Sequence, residues 1–322
     1  EAFDKVVIVT NNMTETFTRA IPDNVSVVRY PYEASALSKA KATTSFFAPV
    51  IQQEMDFVKK KLQIPASKLV VATMVASYAK ANESLKFIDN TIERYAAGMD
   101  VYLYSYWMND MAISIASYKQ KYPKVKAFSR AHRWDIYMEE QPSKYLPFRN
   151  LILANLDALF SISEDGAKYL RAISDHKYNK HIKVAHLGTV NTSGKLSTSG
   201  TDKLVLVSCS NMIARKRVHL IIEALALLGG KVHWVHIGTG QLHDELETLA
   251  KEKLGSKENI SYEFKGQMNN SDIIDYYANN AIDLFINVSD SEGVPVSIME
   301  ANSFGIPAIA TNTGGVAEVI NE

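Results

Sequence analysis

Short apolar runs rich in β-branched residues alternate along this chain with stretches in which apolar positions recur every three to four residues, the period of a one-sided helix. The alternation is clearest after residue 190. KLVLVSCS predicts a strand and RVHLIIEALALL a helix. VHWVHIG and HDELETLAKEKL, ISYEFKG and DIIDYYANN, and IDLFINVS and PVSIMEANSFG repeat the unit, and PAIATN adds a last strand. Four strand–helix pairs and a fifth strand predict a parallel, doubly wound α/β sheet with ligands at the carboxyl ends of its strands. Before residue 190, KVVIVTN, VSVVRY, LVVATMV, VYLYSY, VKAFSRAH, ALFSIS and IKVAHLG are strand candidates separated by helical segments, so this half is also α/β. GTVNTSGKLSTSGT between the halves is rich in Gly, Ser and Thr and predicts a linker or hinge. The boundary lies near residue 190, giving domains 1–190 and 191–322.

Composition narrows the class. With 322 residues, 47% of them hydrophobic, the chain is too long and apolar for a disordered tail, and two domains are the default expectation. One cysteine, Cys209, excludes an intramolecular disulfide and a cysteine zinc cage; inside a strand it predicts a small buried hydrophobe. No apolar run approaches the roughly 18–20 residues of a membrane span and no secretory leader is recognisable, so the expectation is a soluble cytoplasmic protein. The zero net charge divides into 25 basic and 19 acidic residues in 1–190 against 10 and 16 in 191–322. A basic front half suits an anionic membrane surface or a phosphorylated acceptor, and equally a bland solvated surface. In FFAPVIQQEMDFVKKKL, Phe47, Ile51, Met55, Val58 and Leu62 share a helical face ahead of Lys59, Lys60 and Lys61. An interfacial membrane helix and a core-facing helix with a solvated basic end both fit; the second is favoured because most amphipathic helices pack inward.

Candidate chemistry concentrates in IDLFINVSDSEGVPVSIMEANSFGIPAIATNTGG. Pro295 falls where a first helical turn begins, a position that tolerates its missing N–H, and the next amides, of Val296 and Ser297, would then form an anion site. Glu292 precedes this helix and Glu300 lies within it. From Pro295 to Glu300 the axial rise is roughly 7–8 Å at 1.5 Å per residue, about the step from a phosphate to the sugar of a nucleotide. The two carboxylates also fit an ordinary loop charge and a solvated helix position. Arg215, Lys216 and Arg217 read either as phosphate-binding cations or as a solvated basic turn. HIGTGQLHDEL is a weak dinucleotide fingerprint, since His243 stands at its third glycine position. No G-x-x-x-x-G-K-[ST] loop occurs, and His176 and His181 lack zinc-ligand spacing.

The segment around Glu292 and Glu300 resembles the E-x7-E signature of glycosyltransferase family 4, the retaining sugar-nucleotide transferases of the GT-B fold. GIPAIATNTGG is similar to the family's small-residue strand and its Gly-Gly loop, at Gly314 and Gly315. SCSNMIARKRVHLIIEALALL resembles the first strand, basic loop and helix of the family's C-terminal domain. The resemblance implies two Rossmann-like domains facing a cleft. It places Glu292 near the transferred sugar and Glu300 on the donor ribose. Lys216 falls on the donor diphosphate; Ser210 stands where the family carries a second cation, an arginine, so either Arg215 supplies that charge or the site has only one. The implied donor site is completed by Gly238 and Gly240 close to the donor, by main-chain atoms around Lys265, Gly266 and Gln267 at the nucleobase, and by Gly293, Val294, Val296 and Ser297. His132, flanked by Arg130 and Asp135, matches the family histidine that contacts the donor sugar across the cleft.

These assignments imply a metal-independent hexosyltransferase with no cofactor beyond its nucleotide-sugar donor and with a glycan or lipid-linked acceptor. Cell-surface polysaccharide synthesis, with peripheral contact to the inner membrane face and no nucleic-acid partner, is the setting they imply. Pro295 replaces a glycine common in the family's loop, which removes one backbone donor. Both ends look short against the family: EAFDKVVIVTNN resembles the end of a first helix and a second strand, and the chain stops soon after Gly315. A nucleotide-sugar-binding module without transferase activity and a GT-B sugar-nucleotide epimerase are the alternatives.

Overall fold

Strands in alternation with helices need apolar residues that can be covered on both faces, and the computed structural model builds three all-parallel sheets from them among the described residues, 3–10, 21–30, 46–189, 191, 197 and 202–320. Strands β1 (Val6–Thr10) and β2 (Val25–Arg29) pair with each other. Strands β3 (Tyr102–Ser105), β4 (Lys126–Ala131), β5 (Ala158–Ser161) and β6 (Ile182–Val184) form a second sheet in that order. The third contains β7 (Leu204–Cys209), β8 (Val232–Ile237), β9 (Ile260–Phe264), β10 (Leu284–Asn287) and β11 (Ala308–Ala310), in the order β11-β10-β7-β8-β9.

The chain divides into two compact units, 1–161 with 166–184, and 162–165 with 185–322. In the C-terminal unit, alternate strand residues enter different cores. Leu206 and Trp234 join one apolar cluster, whereas Val207, Val235 and Phe285 join another with Tyr277 and Phe304. Burial on both faces is the physical requirement of a doubly wound sheet.

The helices are α1 (Pro49–Phe57), α2 (Lys68–Ala96), α3 (Asp110–Lys121), α4 (Arg149–Asn155), α5 (Glu164–Ile173), α6 (Val218–Leu227), α7 (His243–Leu254), α8 (Asn270–Asn279) and α9 (Val296–Ser303). Helix α2 overturns the strand expected at LVVATMV. Its cause is visible in retrospect: Ser67 caps the first turn by accepting the Val70 N–H at 3.3 Å, and Val70, Met74, Ala81 and Ile88 recur at helical spacing into the core. The stretch 46–62 is helical through α1 and a π-helical turn, Val58–Leu62, and Ile51 and Val58 are fully buried. Its apolar stripe faces the core and only Phe47, at 79% exposure, remains outside it, which removes the interfacial-helix reading. Among the described residues, no helix is long and apolar enough to cross a membrane.

Most of the expected linker, residues 190, 192–196 and 198–201, lies outside the described residues. Ser197 is held by the C-terminal unit: its N–H donates to Phe304 O at 2.8 Å and its hydroxyl accepts the Ile282 N–H at 3.0 Å.

Glu54, on the buried face of α1, accepts hydrogen bonds from the Tyr145 hydroxyl at 2.7 Å and the Phe148 N–H at 2.8 Å. Burial pushes its carboxyl above the ordinary range against these donors and the nearby Arg149. Glu54→Ala leaves two buried donors unmatched, and the expected loss of stability in the N-terminal unit is about 2–4 kcal/mol, read by denaturant unfolding. Glu54→Gln, which keeps an acceptor oxygen, should lose less than half as much.

Candidate functional site

Strand order decides where the chemistry of the C-terminal unit collects. Strand β7 is flanked on one side by β8, which follows it in the chain, and on the other by β10, which the chain reaches only after β9, so the loops after β7 and β10 meet at a topological switch point, where doubly wound sheets bind ligands. These loops hold Lys216 and Glu292. The Lys216 Nζ lies 2.5 Å from Glu292 Oε1, with the two side chains only 18% and 11% exposed. Burial alone would raise the Glu292 carboxyl, but the Lys216 ammonium and hydrogen bonds from Ser289 and Asn287 outweigh it and hold the group below its usual range.

Further groups of these two loops brace this arrangement. Arg217, in the left-handed region at φ 49°, donates through Nε to Val288 O at 2.7 Å and through Nη2 to Ser289 O at 3.1 Å. Arg215 is exposed and contributes its carbonyl, which accepts the Asp290 N–H at 2.9 Å. Arg217 thus fastens one loop to the other. Asn287 ends β10 with its amide toward Glu292 and its Oδ1 accepting the Ser289 N–H at 2.9 Å. A polar residue closing an otherwise apolar strand was the available signal.

Beside the switch point is a cavity of about 80 Å³ lined by residues that include Cys209, Ser210, Gly238 and Gln267. Backbone packs closely around it. A Cβ on Gly238 would fall 2.0 Å from Ser210 O, and one on Gly240 would fall 2.5 Å from Met212 O. The Gly238 N–H donates to Gly266 O at 2.9 Å. Lys265 does not line the cavity: its ammonium pairs with Glu263 at 2.8 Å and its N–H donates to His236 O. Gly266 is likewise absent from the lining, so of the three residues expected at a nucleobase only Gln267 faces the space. Cys209, at the end of β7, is partly buried and packs against the apolar cluster that contains Tyr277 and Phe304; burial, then the neighbouring Glu300 carboxylate, push its thiol up to about 11.

Glu300 accepts a hydrogen bond from Asn270 Nδ2 at 2.7 Å, and burial raises its carboxyl. Pro295 is the residue before α9, with ψ 104°, and not its first helical residue as expected. Its carbonyl accepts the Ile298 and Met299 N–H groups, while the Val296 and Ser297 amides, in the first turn, have no intrahelical acceptor. Val294 is buried, and the Gly293 carbonyl accepts the Gly315 N–H at 2.7 Å; a Cβ on Gly315 would stand 2.4 Å from that oxygen. The close approach explains the second glycine of the pair.

In the N-terminal unit, His132 follows β4 and is 7% exposed, its ring 4.7 Å from Tyr106 and 4.1 Å from Trp107 between centroids. The Asp135 carboxylate accepts the His132 N–H at 2.5 Å and the Met108 N–H at 2.7 Å, tying the end of β4 to the loop after β3. Neither ring nitrogen of His132 has a hydrogen-bond partner. Burial and then Arg130 lower the imidazole to about 4, whereas burial raises Asp135 to about 6 against Arg149 and the donated N–H groups.

His132 therefore stays neutral at physiological pH. Its NMR resonance should be flat from pH 8 to pH 5 and titrate near 4. The depressed value makes a stability contribution present above the unfolded value of 6.5 and lost as pH falls toward 4. Asp135 acts in the opposite sense, its contribution being lost as pH rises through about 6, so the resonance and not the unfolding curve isolates the histidine. A His132 midpoint near 6.5 would contradict the buried, cation-flanked ring.

Residues 194–322 match the family model described as Glycosyl transferases group 1. Over 203 residues, 59% of this chain and 48% of the relative, the chain is 27% identical to a putative colanic acid biosynthesis glycosyltransferase of Salmonella typhimurium. It is 39% identical over 77 residues, 24% of this chain and 20% of the relative, to an O-antigen biosynthesis glycosyltransferase of Escherichia coli. The chain spans about half the length, or less, of these curated relatives. Among solved structures, it is similar to a lipopolysaccharide outer core galactosyltransferase, with a TM-score of 0.59 and 16% identity over 77% of this chain and 65% of the other. An Anabaena protein in complex with UDP gives a TM-score of 0.59 and 19% identity, covering 74% of this chain and 65% of that one. These likenesses establish the GT-B class, two Rossmann-like α/β units.

Proposed function

We propose that this chain is the glycosyltransferase its group 1 segment indicates, taking a sugar from a nucleotide-sugar donor with retention of anomeric configuration and without a metal. The observation that carries the reading is the Lys216–Glu292 pair at the switch point of the C-terminal sheet. Breaking the bond from the anomeric carbon to phosphate builds negative charge on the departing diphosphate and positive charge on the sugar. A fixed ammonium and oriented amides stabilise the first, and a carboxylate beside them suits the second. Lys216 and the Val296 and Ser297 amides supply the donors, and Glu292 is the carboxylate. Glu300, on α9, takes the ribose hydroxyls in this reading. His132, neutral with both ring nitrogens unengaged, is suited to hydrogen-bond a sugar hydroxyl and orient it.

The relatives named for colanic acid and O-antigen synthesis, and the neighbour holding UDP, support a cell-surface polysaccharide acceptor and a uridine nucleotide donor. The basic excess of residues 1–190 supports work at the inner membrane face. Calorimetry with UDP, UDP-glucose, UDP-galactose and ADP, followed by a radiolabelled transfer assay, tests the reading. Saturable UDP-sugar binding with transfer is expected. Binding without transfer favours the binding module, and donor isomers formed without acceptor favour an epimerase.

A further inference from the structure

Two polar residues interrupt the apolar strands at the centre of the C-terminal sheet, Ser208 in β7 and His236 in β8, and the parallel register sets them side by side. They are 3% and 0% exposed, so each needs a partner inside the protein. Trp234, two residues before His236 and fully buried on the same face, completes the group. The Trp234 Nε1–H donates to Ser208 Oγ at 2.9 Å, Ser208 Oγ lies 2.8 Å from His236 Nδ1, and His236 Nε2 lies 3.1 Å from Ser210 O.

One arrangement of protons satisfies all three contacts. Burial lowers the imidazole to about 4, so at neutral pH the ring carries a single proton. A carbonyl oxygen only accepts, which puts that proton on Nε2, donated to Ser210 O. Nδ1 must then accept, and the Ser208 hydroxyl is its donor. An indole nitrogen only donates, so Trp234 meets the Ser208 oxygen and leaves the hydroxyl proton to the ring. The chain of bonds therefore runs in one direction, from the indole to the Ser210 carbonyl.

That carbonyl stands where the sheet ends and the cavity begins. Gly238, at φ +134°, turns the chain out of β8, and the imidazole supplies a donor to Ser210 O just beyond the last paired residues, Cys209 and Ile237. Ser210, Asn211 and Gly238 all line the cavity of about 80 Å³. The peptide between Ser210 and Asn211 is trans, and in a trans peptide the C=O and the N–H point opposite ways. An oxygen held toward β8 thus turns the Asn211 N–H to the other side of β7, where β10 and the loop of Glu292 lie.

We infer that His236 is a positioning residue of the donor pocket: held by Ser208 and Trp234 with its proton on Nε2, it fixes the Ser210–Asn211 peptide so that the Asn211 N–H is presented to the nucleotide. The word donor rests on the transferase reading; the orientation of the peptide does not.

NMR and UDP calorimetry on the full chain test it. In the native protein at pH 7 the imidazole nitrogen shifts should show a protonated Nε2 and a bare, hydrogen-bonded Nδ1. His236→Leu, which keeps bulk but no donor, should move the Asn211 amide resonance and weaken UDP about tenfold, the scale of one hydrogen bond. His236→Gln can donate to Ser210 O and accept from Ser208, and should restore the resonance and bring UDP affinity to within about threefold of native. A residue that only fills the core would lose thermal stability with UDP affinity kept. Ser208→Ala leaves the ring but removes its anchor; it should cost about threefold in UDP affinity, and it serves where His236→Leu does not fold. A proton on Nδ1, an Asn211 resonance indifferent to the folded variants, or UDP affinity unchanged in them overturns the inference. A native chain that binds no UDP, with the ring proton and the Asn211 shift as stated, instead strikes the donor reading and leaves the orientation of the peptide standing.

Discussion

Lys216→Ala should reduce sugar transfer by about two to three orders of magnitude, the effect of removing one fixed donor from a developing oxyanion, and should weaken UDP binding in parallel. The same change acts on the fold. Lys216 is the main force opposing burial at Glu292, and its loss leaves a buried carboxylate without its ammonium, held by hydrogen bonds that include those from Ser289 and Asn287. Breaking such a pair from one side costs about 3 kcal/mol. The sign with pH follows from the depressed carboxyl. Glu292 contributes stability that is present above its unfolded value of 4.5 and lost as pH falls through the lower folded value. Without Lys216 the folded value moves up and that contribution shrinks, so the variant's deficit against the native chain should be larger at pH 7 than at pH 3. Chemical denaturation at the two pH values, with calorimetric UDP binding, checks both arms. Lys216→Arg keeps the charge and should retain more of the stability than of the transfer rate, because a planar guanidinium does not reproduce a point ammonium. Full transfer by Lys216→Ala would falsify the role assigned to the ammonium.

Gly238→Ala should be the most damaging single methyl in the C-terminal unit. The residue sits at φ +134°, and the added Cβ would meet Ser210 O at 2.0 Å and Ser210 C at 2.8 Å, both backbone atoms. Relief by movement is blocked on two sides, since the Ser210 N–H donates to Ile237 O at 3.0 Å and the Gly238 N–H to Gly266 O at 2.9 Å. A loss of about 4 kcal/mol or more is expected from strain plus broken strand-end bonds, with collapse of the adjoining cavity and of UDP binding. Gly266→Ala is the control. It also has a positive φ, +70°, but its Cβ would meet nothing within 4 Å, so only the backbone strain of about 1–2 kcal/mol remains. Thermal unfolding of the two variants side by side distinguishes a steric requirement from a conformational one; equal losses would show that close approach to Ser210 is unimportant.

The C-terminal unit was the more legible because its strands are buried on both faces and bounded by turn residues, so runs such as Val205–Val207 and Val232–Ile237 differ plainly from the amphipathic helices between them. At LVVATMV that contrast failed. A run of apolar residues has no period of its own, and the Ser67 cap and the spacing continued to Ile88 were the signals for α2. Lys216 and Glu292 were recognisable one at a time as members of a motif. Their contact was not, because 76 residues separate them and only the placement of β10 against β7 brings their loops together. For the same reason Arg215 and Arg217 could not be ranked: positions two apart on a turn need not point the same way, and only the fold brings Arg217, in the left-handed region, to the Val288 carbonyl.

Local chemistry, by itself, determined which segments become strands and helices over most of the chain, that the architecture is α/β, and which polar residues stand at strand ends. Those outcomes depend on periodicity, turn residues and side-chain type, all of which are read within a few positions. The order of strands, the ion pair between Lys216 and Glu292 and the aromatic enclosure that keeps His132 neutral were decided by tertiary packing. Each depends on distances between residues remote in the chain and on the burial those distances create, and neither quantity exists until the sheets are assembled.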